Sequence, residues 1–132
     1  MRFRRFVVDG DSMLPTLTSG DYVVGHRVDR VAPQDIVAFE HPDRRGFWLI
    51  KRVKAAAGTI DLDSGTANGV AYDDPFREEL VESGVFEIPQ GAMFVLSDNR
   101  RFTRADSRVF GAVPITGSYR IRLRYWPRPG RF

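Results

Sequence analysis

The sequence predicts an all-β (mainly β) fold. Short apolar or alternating runs recur along the chain, and Gly, Pro, Asp and Asn separate them, as in strands joined by turns. Helix signals are weak throughout. The chain has 132 residues, of which 42% are apolar and 28% charged, which is typical of a globular protein with one core. We therefore expect a single domain over residues 1–132.

Eight strands are predicted. The early ones are apolar runs bounded by turn residues, whereas residues 47–55 and 119–126 alternate with period two, as strands with one buried and one solvated face do. In chain order the predicted strands are residues 3–9, 22–28, 35–40, 47–55, 59–62, 70–72, 93–97 and 119–126. The arginines of the last strand are interpreted as a solvated sheet face and not as a binding stripe.

Two short helical segments are also predicted. "SMLPTL" (12–17) fits one turn of 3₁₀ type, and "DPFREELVES" (74–83) fits a short helix that opens at Asp74 with Pro75 in its first turn. Residues from about 57 to 90 are more polar and richer in turn signals than their flanks. They are predicted to be a variable excursion from the main sheet.

The composition argues against several classes of protein. Twenty basic and 17 acidic residues give a formal charge of +3, interspersed along the chain, so no nucleic-acid partner is expected. The absence of cysteine excludes disulfides, a cysteine nucleophile and thiolate metal sites. His26 and His41 lack the spacing of a helical zinc site, so we expect neither a metal nor another cofactor. A Ser-His-Asp triad with His41 stays open on spacing alone.

The sequence also bears on the compartment. No window approaches the roughly 18 apolar residues of a membrane span, and the N-terminal residues lack the apolar stretch of a signal peptide. We expect a cytoplasmic protein with no membrane anchor of its own. Peripheral contact with the inner face of a membrane stays open, and the sequence does not determine the oligomeric state.

Lys51 stands out among the basic residues, of which only Lys51 and Lys54 are lysine. With period two, Lys51 is the one charge on an apolar strand face, whereas Lys54 falls among polar neighbours. Burial can lower a lysine pKa by up to about 3 to 5 units, and a neutral lysine can act as a general base. The alternative is that Lys51 extends its ammonium group to the edge of the sheet.

Ser12 is the best candidate to be activated by such a lysine. It lies in a turn between two apolar runs, in "VVDGDSMLPTLTSGDYVV" (7–24), flanked by Gly10 and Pro15. The alternative is an ordinary turn serine that bonds its own backbone.

The third candidate element is "VLSDNRRFTRADSRVFGAVP" (95–114). It follows an apolar strand and gathers polar side chains around two short turns. The alternative is an Asx-rich hairpin with surface ion pairs that contribute little to stability.

In this order, the three elements resemble the type I signal peptidase superfamily of Ser-Lys proteases. "SMLPT" (12–16) is similar to its nucleophile box, "SGDYVV" (19–24) to the strand that follows, and "IKRV" (50–53) to its base strand. "SDNR" (97–100), with "ADSR" (105–108) and "FG" (110–111), is similar to its Gly-Asp-Asn-Arg…Asp-Ser-Arg box. The resemblance covers about residues 7–114. It implies the coiled, barrel-like antiparallel β-sheet that this superfamily shares with the SOS-response repressors.

The resemblance also implies roles for individual residues. Ser12 would be the nucleophile, Lys51 its general base, and the Ser12 N–H part of an oxyanion hole in a turn with Gly10, Met13 and Pro15. The implied lysine-orienting and structural residues are Asp98, Asn99, Arg100, Thr103, Asp106, Ser107 and Arg108.

Several features depart from the family pattern. Gly10 stands where bacterial signal peptidases often have a serine whose hydroxyl joins the oxyanion hole, and Ser97 replaces the usual glycine. The spacer of residues 101–105 is one residue longer than usual, so the serine that normally orients the lysine has no clean counterpart. Thr103 is the expected stand-in.

The implied activity is that of a soluble serine endopeptidase that removes an N-terminal extension from a protein substrate. "RVAPQDIVAF" (30–39), "HP" (41–42) and "RYWPRP" (124–129) are similar to the maturation proteases of nickel-type superoxide dismutase, which makes that precursor one candidate substrate. Two alternatives stay open: a membrane-associated enzyme that cleaves secretory signal peptides, and a catalytically silent binding module of the same fold.

Overall fold

The computed structural model describes residues 2–132, which fold almost entirely into β-strands. The strands are β1 (Phe3–Val7), β2 (Tyr22–Arg27), β3 (Ile36–Glu40), β4 (Trp48–Asp61), β5 (Thr66–Ala67), β6 (Val70–Ala71), β7 (Val85–Leu96), β8 (Val113–Pro114), β9 (Tyr119–Trp126) and β10 (Gly130–Arg131). The one helix in the described residues is α1 (Ser107–Phe110). At four residues it is far too short to cross a bilayer, and nothing else in residues 2–132 forms a spanning helix. The predicted all-β class is confirmed.

The ten strands form one sheet in which every pairing is antiparallel. The main order is β1-β2-β9-β3-β4-β5-β6, with β7 pairing to β4 and β8, and β10 pairing to β9. Because β3 and β7 both pair with β4, that strand lies at the centre of the fold. The residues that flank Lys51 are therefore held on a paired strand and not on a loop.

The turn after β1 is anchored in the core. Met13 and Leu17 are buried against Val23 and Ile121 of the sheet. The Leu17 N–H donates to the Met13 carbonyl at 2.9 Å, which closes a single α-type turn and not the predicted 3₁₀ turn. Two buried side chains and this hydrogen bond fix the backbone that carries Ser12.

The predicted break between two strands at residues 55–59 is wrong. Strand β4 continues to Asp61. Where the sequence indicated a turn, the strand has register shifts against β7, between Val53 and Ala55 and between Ala56 and Gly58. Gly58 has a φ of +95°, and a Cβ there would lie 1.9 Å from the Asn68 side chain. Bulges that bend a long strand give the same sequence signal as a turn.

The predicted helix over residues 74–83 is also wrong. Those residues form turns, in which Asp74 Oδ1 accepts from the Phe76 N–H at 3.1 Å. A helix would expose acidic residues on one face, but Glu82 is fully buried against Arg100. Helix α1 forms elsewhere, where Asp106 caps it by accepting from the Arg108 N–H at 3.0 Å.

Candidate functional site

Ser12 and Lys51 line the same cavity. It has a volume of about 180 Å³ and lies between the end of β1, the Ser12 turn and the start of β4. Most of the remaining lining is apolar, with Phe6, Met13 and Trp48 among its side chains. The two candidate catalytic residues, 39 positions apart in sequence, are thus brought to one largely apolar cleft.

The turn that carries Ser12 is held from both sides. The Gly10 N–H donates to Ser19 Oγ at 3.1 Å, and Gly10 has a φ of +89°, which glycine adopts without strain. Asn99 donates through its N–H to the Ser12 carbonyl at 2.8 Å and through Nδ2 to the Asp11 carbonyl at 3.0 Å. Pro15 is exposed at the tip of the turn. Within residues 2–132, the Ser12 N–H makes no hydrogen bond, so it is free to donate to a ligand in the cleft.

Lys51 is buried, with 2% of its surface exposed. Its Nζ donates to Ser97 Oγ at 2.9 Å, and among residues 2–132 no hydrogen bond joins it to Ser12 Oγ. Burial lowers the pKa of Lys51 from 10.5 to about 8; the Asp106 carboxylate opposes this shift and the Arg108 guanidinium adds to it. A measurable fraction of Lys51 is therefore neutral near pH 7. The alternative in which its ammonium group reaches the edge of the sheet is wrong.

The hydroxyl beside Lys51 belongs to Ser97 and not to Thr103. Thr103 Oγ1 accepts from the Ala105 N–H at 3.0 Å, within its own turn. Register explains the difference: Arg52 pairs with Leu96 across β4 and β7, so the next pair brings Lys51 opposite Ser97. Ser97, which departs from the family's glycine, supplies the lysine contact, and the pairing of β4 with β7 in the structure identifies it.

Asp106 and Arg108 form a buried unit behind Lys51. Asp106 accepts from the Ser97 N–H at 3.0 Å and from Arg108 Nε at 2.9 Å. Burial alone would raise the pKa of Asp106, but the hydrogen bonds and charge of Arg108 more than offset it and hold that pKa below its usual value. Ser107 Oγ accepts from the Val95 N–H at 2.9 Å, which ties α1 to β7. These contacts fix the backbone of Ser97.

Asp98 links the loop after β7 to the base strand. Its carboxylate accepts from Arg52 Nε at 2.8 Å, Arg52 Nη2 at 2.7 Å and Thr16 Oγ1 at 2.5 Å. Because Thr16 lies in the Ser12 turn, one carboxylate joins the three sequence elements. Sequence reasoning assigned neither Arg52 nor Thr16 a role. Both residues belong to the quoted motifs, Arg52 next to Lys51 and Thr16 at the end of "SMLPT", and that position could have identified them.

Lys54 has the polar neighbours that the sequence predicted, since its Nζ donates to Gln34 Oε1 at 3.3 Å, but its side chain is buried. It is 1% exposed and lies 3.4 Å from Asp74 Oδ2. The register shift between Val53 and Ala55 breaks the period-two alternation, so both lysines of β4 turn inward. Asp74 also accepts from Arg100, so Arg100 contacts the segment between β4 and β7.

The two histidines lie apart from the cleft. His26 faces Phe3 and Arg122, and His41 Nδ1 accepts from the Asp43 N–H at 3.0 Å. His41 is not among the residues that line the cavity of Ser12. In the part of the chain that the structure describes, no three His, Asp or Glu side chains are grouped to hold a metal ion.

Comparison with known proteins identifies one family, and the similar proteins are named as signal or processing peptidases. The family described as "Signal peptidase, peptidase S26" matches residues 1–126. Signal peptidase I of Bacillus caldolyticus is 30% identical over 95% of this chain and 80% of its own length. The probable signal peptidase I-1 of Synechocystis is 35% identical over 81% of this chain and 62% of its own length. Thylakoidal processing peptidase 1 of Arabidopsis thaliana is 31% identical over 91% of this chain, but only 41% of its own length is covered.

Proposed function

Because the chain belongs to the signal peptidase family, peptidase S26, and is a serine endopeptidase, we propose that Ser12 is its nucleophile, Lys51 its general base, and the N-terminal extension of a protein its substrate. The observation that supports this most strongly is the buried Lys51 amine, whose pKa falls to about 8 in the cavity that Ser12 also lines. A neutral amine in an apolar cleft can accept a serine proton near neutral pH.

The proposed reaction has two symmetrical halves. Lys51 takes the hydroxyl proton of Ser12 as Oγ bonds to the substrate carbonyl carbon, and the Ser12 N–H donates to the oxygen that becomes negative. The C–N bond then breaks, and the Lys51 ammonium gives its proton to the leaving amine. Water repeats the sequence on the acyl-enzyme and restores Ser12. In unliganded enzymes such nucleophile–base contacts are often long and tighten when substrate enters.

Two unpaired strand edges support binding of an extended peptide. Among the strands of residues 2–132, β1 pairs only with β2, and residues 48–51 pair only with β3, since pairing with β7 begins at Arg52. Both edges border the cavity of Ser12. A peptide that added to either edge would gain main-chain hydrogen bonds, and its side chains would enter a mainly apolar cleft.

The substrate class is the finer part of the proposal. The relatives named as signal peptidases favour secretory preproteins, and the sequence resemblance adds the precursor of nickel-type superoxide dismutase. A secretory preprotein as substrate would place the enzyme at a membrane surface, and the dismutase precursor would place it in the cytoplasm. In the second case nickel belongs to the substrate and not to the protease.

We expect the purified protein to cleave at least one of these two precursors at a single bond near its N-terminus. Ser12→Ala should abolish cleavage because, among the described residues, Ser12 carries the one hydroxyl that lines the cavity together with Lys51. Ser83→Ala, which removes an exposed hydroxyl, serves as the matched control and should cleave like the wild type. Mass spectrometry of the products locates the bond. Cleavage that survives Ser12→Ala would overturn the assignment of the nucleophile, and cleavage of neither precursor would remove both substrate proposals.

The rate of cleavage should rise with pH. Only neutral Lys51 can accept the serine proton, so kcat/KM should be half-maximal near pH 8, where the pKa of Lys51 lies, and level above it. At pH 6 it should be about a hundredfold below its plateau. The measurement is kcat/KM from pH 6 to 10 on a peptide that spans the cleavage site. A profile that is flat or falls over that range would show that Lys51 is not the base.

A further inference from the structure

Asp74, between β4 and β7, contacts two buried cations. Its Oδ2 lies 3.4 Å from Lys54 Nζ and accepts a hydrogen bond from Arg100 Nη2. The side chains of all three residues are at most 1% exposed. Asp74 thus joins β4 to the loop after β7 at a place closed to water.

Arg100 connects Asp74 to Lys51, the proposed general base, by way of Ser97. Its Nη1 donates to the Ser97 carbonyl, and Ser97 Oγ accepts from Lys51 Nζ at 2.9 Å. Arg100 Nε also lies 3.4 Å from Glu82 Oε2, which balances the second cation. The contacts form a closed ring that leaves β4 at Lys51 and returns to it at Lys54.

We propose that Asp74 is a positioning residue of this protease: through Arg100 it holds Ser97, and through Ser97 it holds the amine of Lys51 toward the cavity of Ser12. The inference rests on the proposed function, since it takes Lys51 to be the base. It gives the segment between β4 and β7 a part in catalysis that neither the sequence motifs nor the family comparison assigns.

A contribution to stability alone does not explain this ring. Buried charges are costly to desolvate, and apolar side chains of similar volume often stabilise a core as well or better. Charged hydrogen bonds differ in being directional, so they fix the angle of the groups they hold. In this ring, the hydrogen bond from Arg100 fixes the Ser97 carbonyl, and the hydroxyl of the same residue contacts the amine of Lys51. Among the described residues, none of Asp74, Arg100 and Ser97 lines the Ser12 cavity, so none of the three is placed to contact a substrate there.

The first test compares Asp74→Asn with Glu79→Gln. Both replace an acid with its amide in the same segment, but within residues 2–132 Glu79 pairs only with Arg77, at the surface and at 3.3 Å. We expect Asp74→Asn to lower kcat by about 10- to 100-fold, because small misplacements of a catalytic group have effects of that size. The KM should change by less than about twofold, since the peptide-binding cleft is intact. Glu79→Gln should leave both constants unchanged.

The second readout is the titration of Lys51 itself. Since the chain has only two lysines, lysine-labelled protein gives two side-chain NMR signals, and Lys54→Met assigns them. In Asp74→Asn the midpoint of the Lys51 titration should fall below that of the wild type, because the Ser97 hydroxyl that accepts from the ammonium group is withdrawn. The Asp106 carboxylate and the Arg108 guanidinium, the two charges that act on the pKa of Lys51, are unchanged in the variant. If the substitution only loosened the packing and let water reach Lys51, the pKa of Lys51 would instead rise toward its ordinary value of 10.5.

Two results would overturn the positioning role: wild-type kcat in Asp74→Asn, or a Lys51 midpoint that stays in place or rises. Should Asp74→Asn fail to fold, Asp74→Asn/Lys54→Met removes one charge of each sign, and its kcat must lie below that of Lys54→Met alone. If the wild type cleaves no substrate, the proposed function fails separately, and the Lys51 titration alone decides whether Asp74 positions the amine.

Discussion

Lys51→Met is expected to abolish cleavage and yet leave the fold at least as stable as the wild type. Methionine fills the space of the lysine stem but cannot accept a proton, so activity should fall by at least about 10³-fold. Below pH 8 the wild type carries a buried ammonium whose folded pKa is about 2.5 units under its ordinary 10.5. At about 1.4 kcal/mol per unit, this disfavours the folded state by roughly 3 kcal/mol, which methionine removes.

The pH dependence of stability checks the physical reason. A lysine with a lowered folded pKa destabilises the protein fully below that pKa, and the effect fades as pH rises from about 8 to 10.5. Urea unfolding should therefore show the gain of Lys51→Met at pH 6 and a smaller one at pH 10. Lys51→Arg should be inactive too, because arginine stays protonated. Retained activity in either variant, or a large loss of stability in Lys51→Met at pH 6, would contradict a buried general base.

Asp98→Asn is expected to be among the most destabilising single changes in the protein. The Asp98 carboxylate is buried and accepts three hydrogen bonds, two from Arg52 and one from Thr16. Removing one partner of a buried pair leaves the other charge without compensation, which typically costs about 3 to 5 kcal/mol of unfolding free energy. Activity should fall as well, because the Ser12 turn loses its contact through Thr16.

Two variants test whether Asp98→Asn lowers the free energy of unfolding through its lost buried contacts or only through the loss of a negative charge. Glu78→Gln breaks the exposed pair with Arg101, at 3.3 Å, and should change the unfolding free energy by less than about 1 kcal/mol. Arg52→Met/Asp98→Leu removes the buried carboxylate together with its partly buried partner and should recover much of the stability that Asp98→Asn loses. Equal unfolding free energies for Asp98→Asn and Glu78→Gln would mean that the Asp98 contacts contribute little.

Local pattern was sufficient to identify several features. Alternation and turn residues predicted the β class, and the Gly-Asp-Ser-Met-Leu-Pro turn made Ser12 a candidate, to which the family resemblance gave the role of nucleophile. The apolar face of residues 47–55 singled out Lys51, whose burial the structure bears out. These features depend on residues close together in sequence, where periodicity and turn chemistry act directly.

Other features depend on how distant strands pair, and only the tertiary structure decided them. The register of β4 against β7 brings Ser97, and not Thr103, to the amine of Lys51. The bulge after Val53 turns Lys54 inward, where Asp74 meets it. A one-residue shift in pairing reverses which face a side chain takes, and no local window of sequence encodes that shift. The sequence by itself thus determined the β class and the two residues of the proposed dyad, and the tertiary pairing decided what surrounds the lysine.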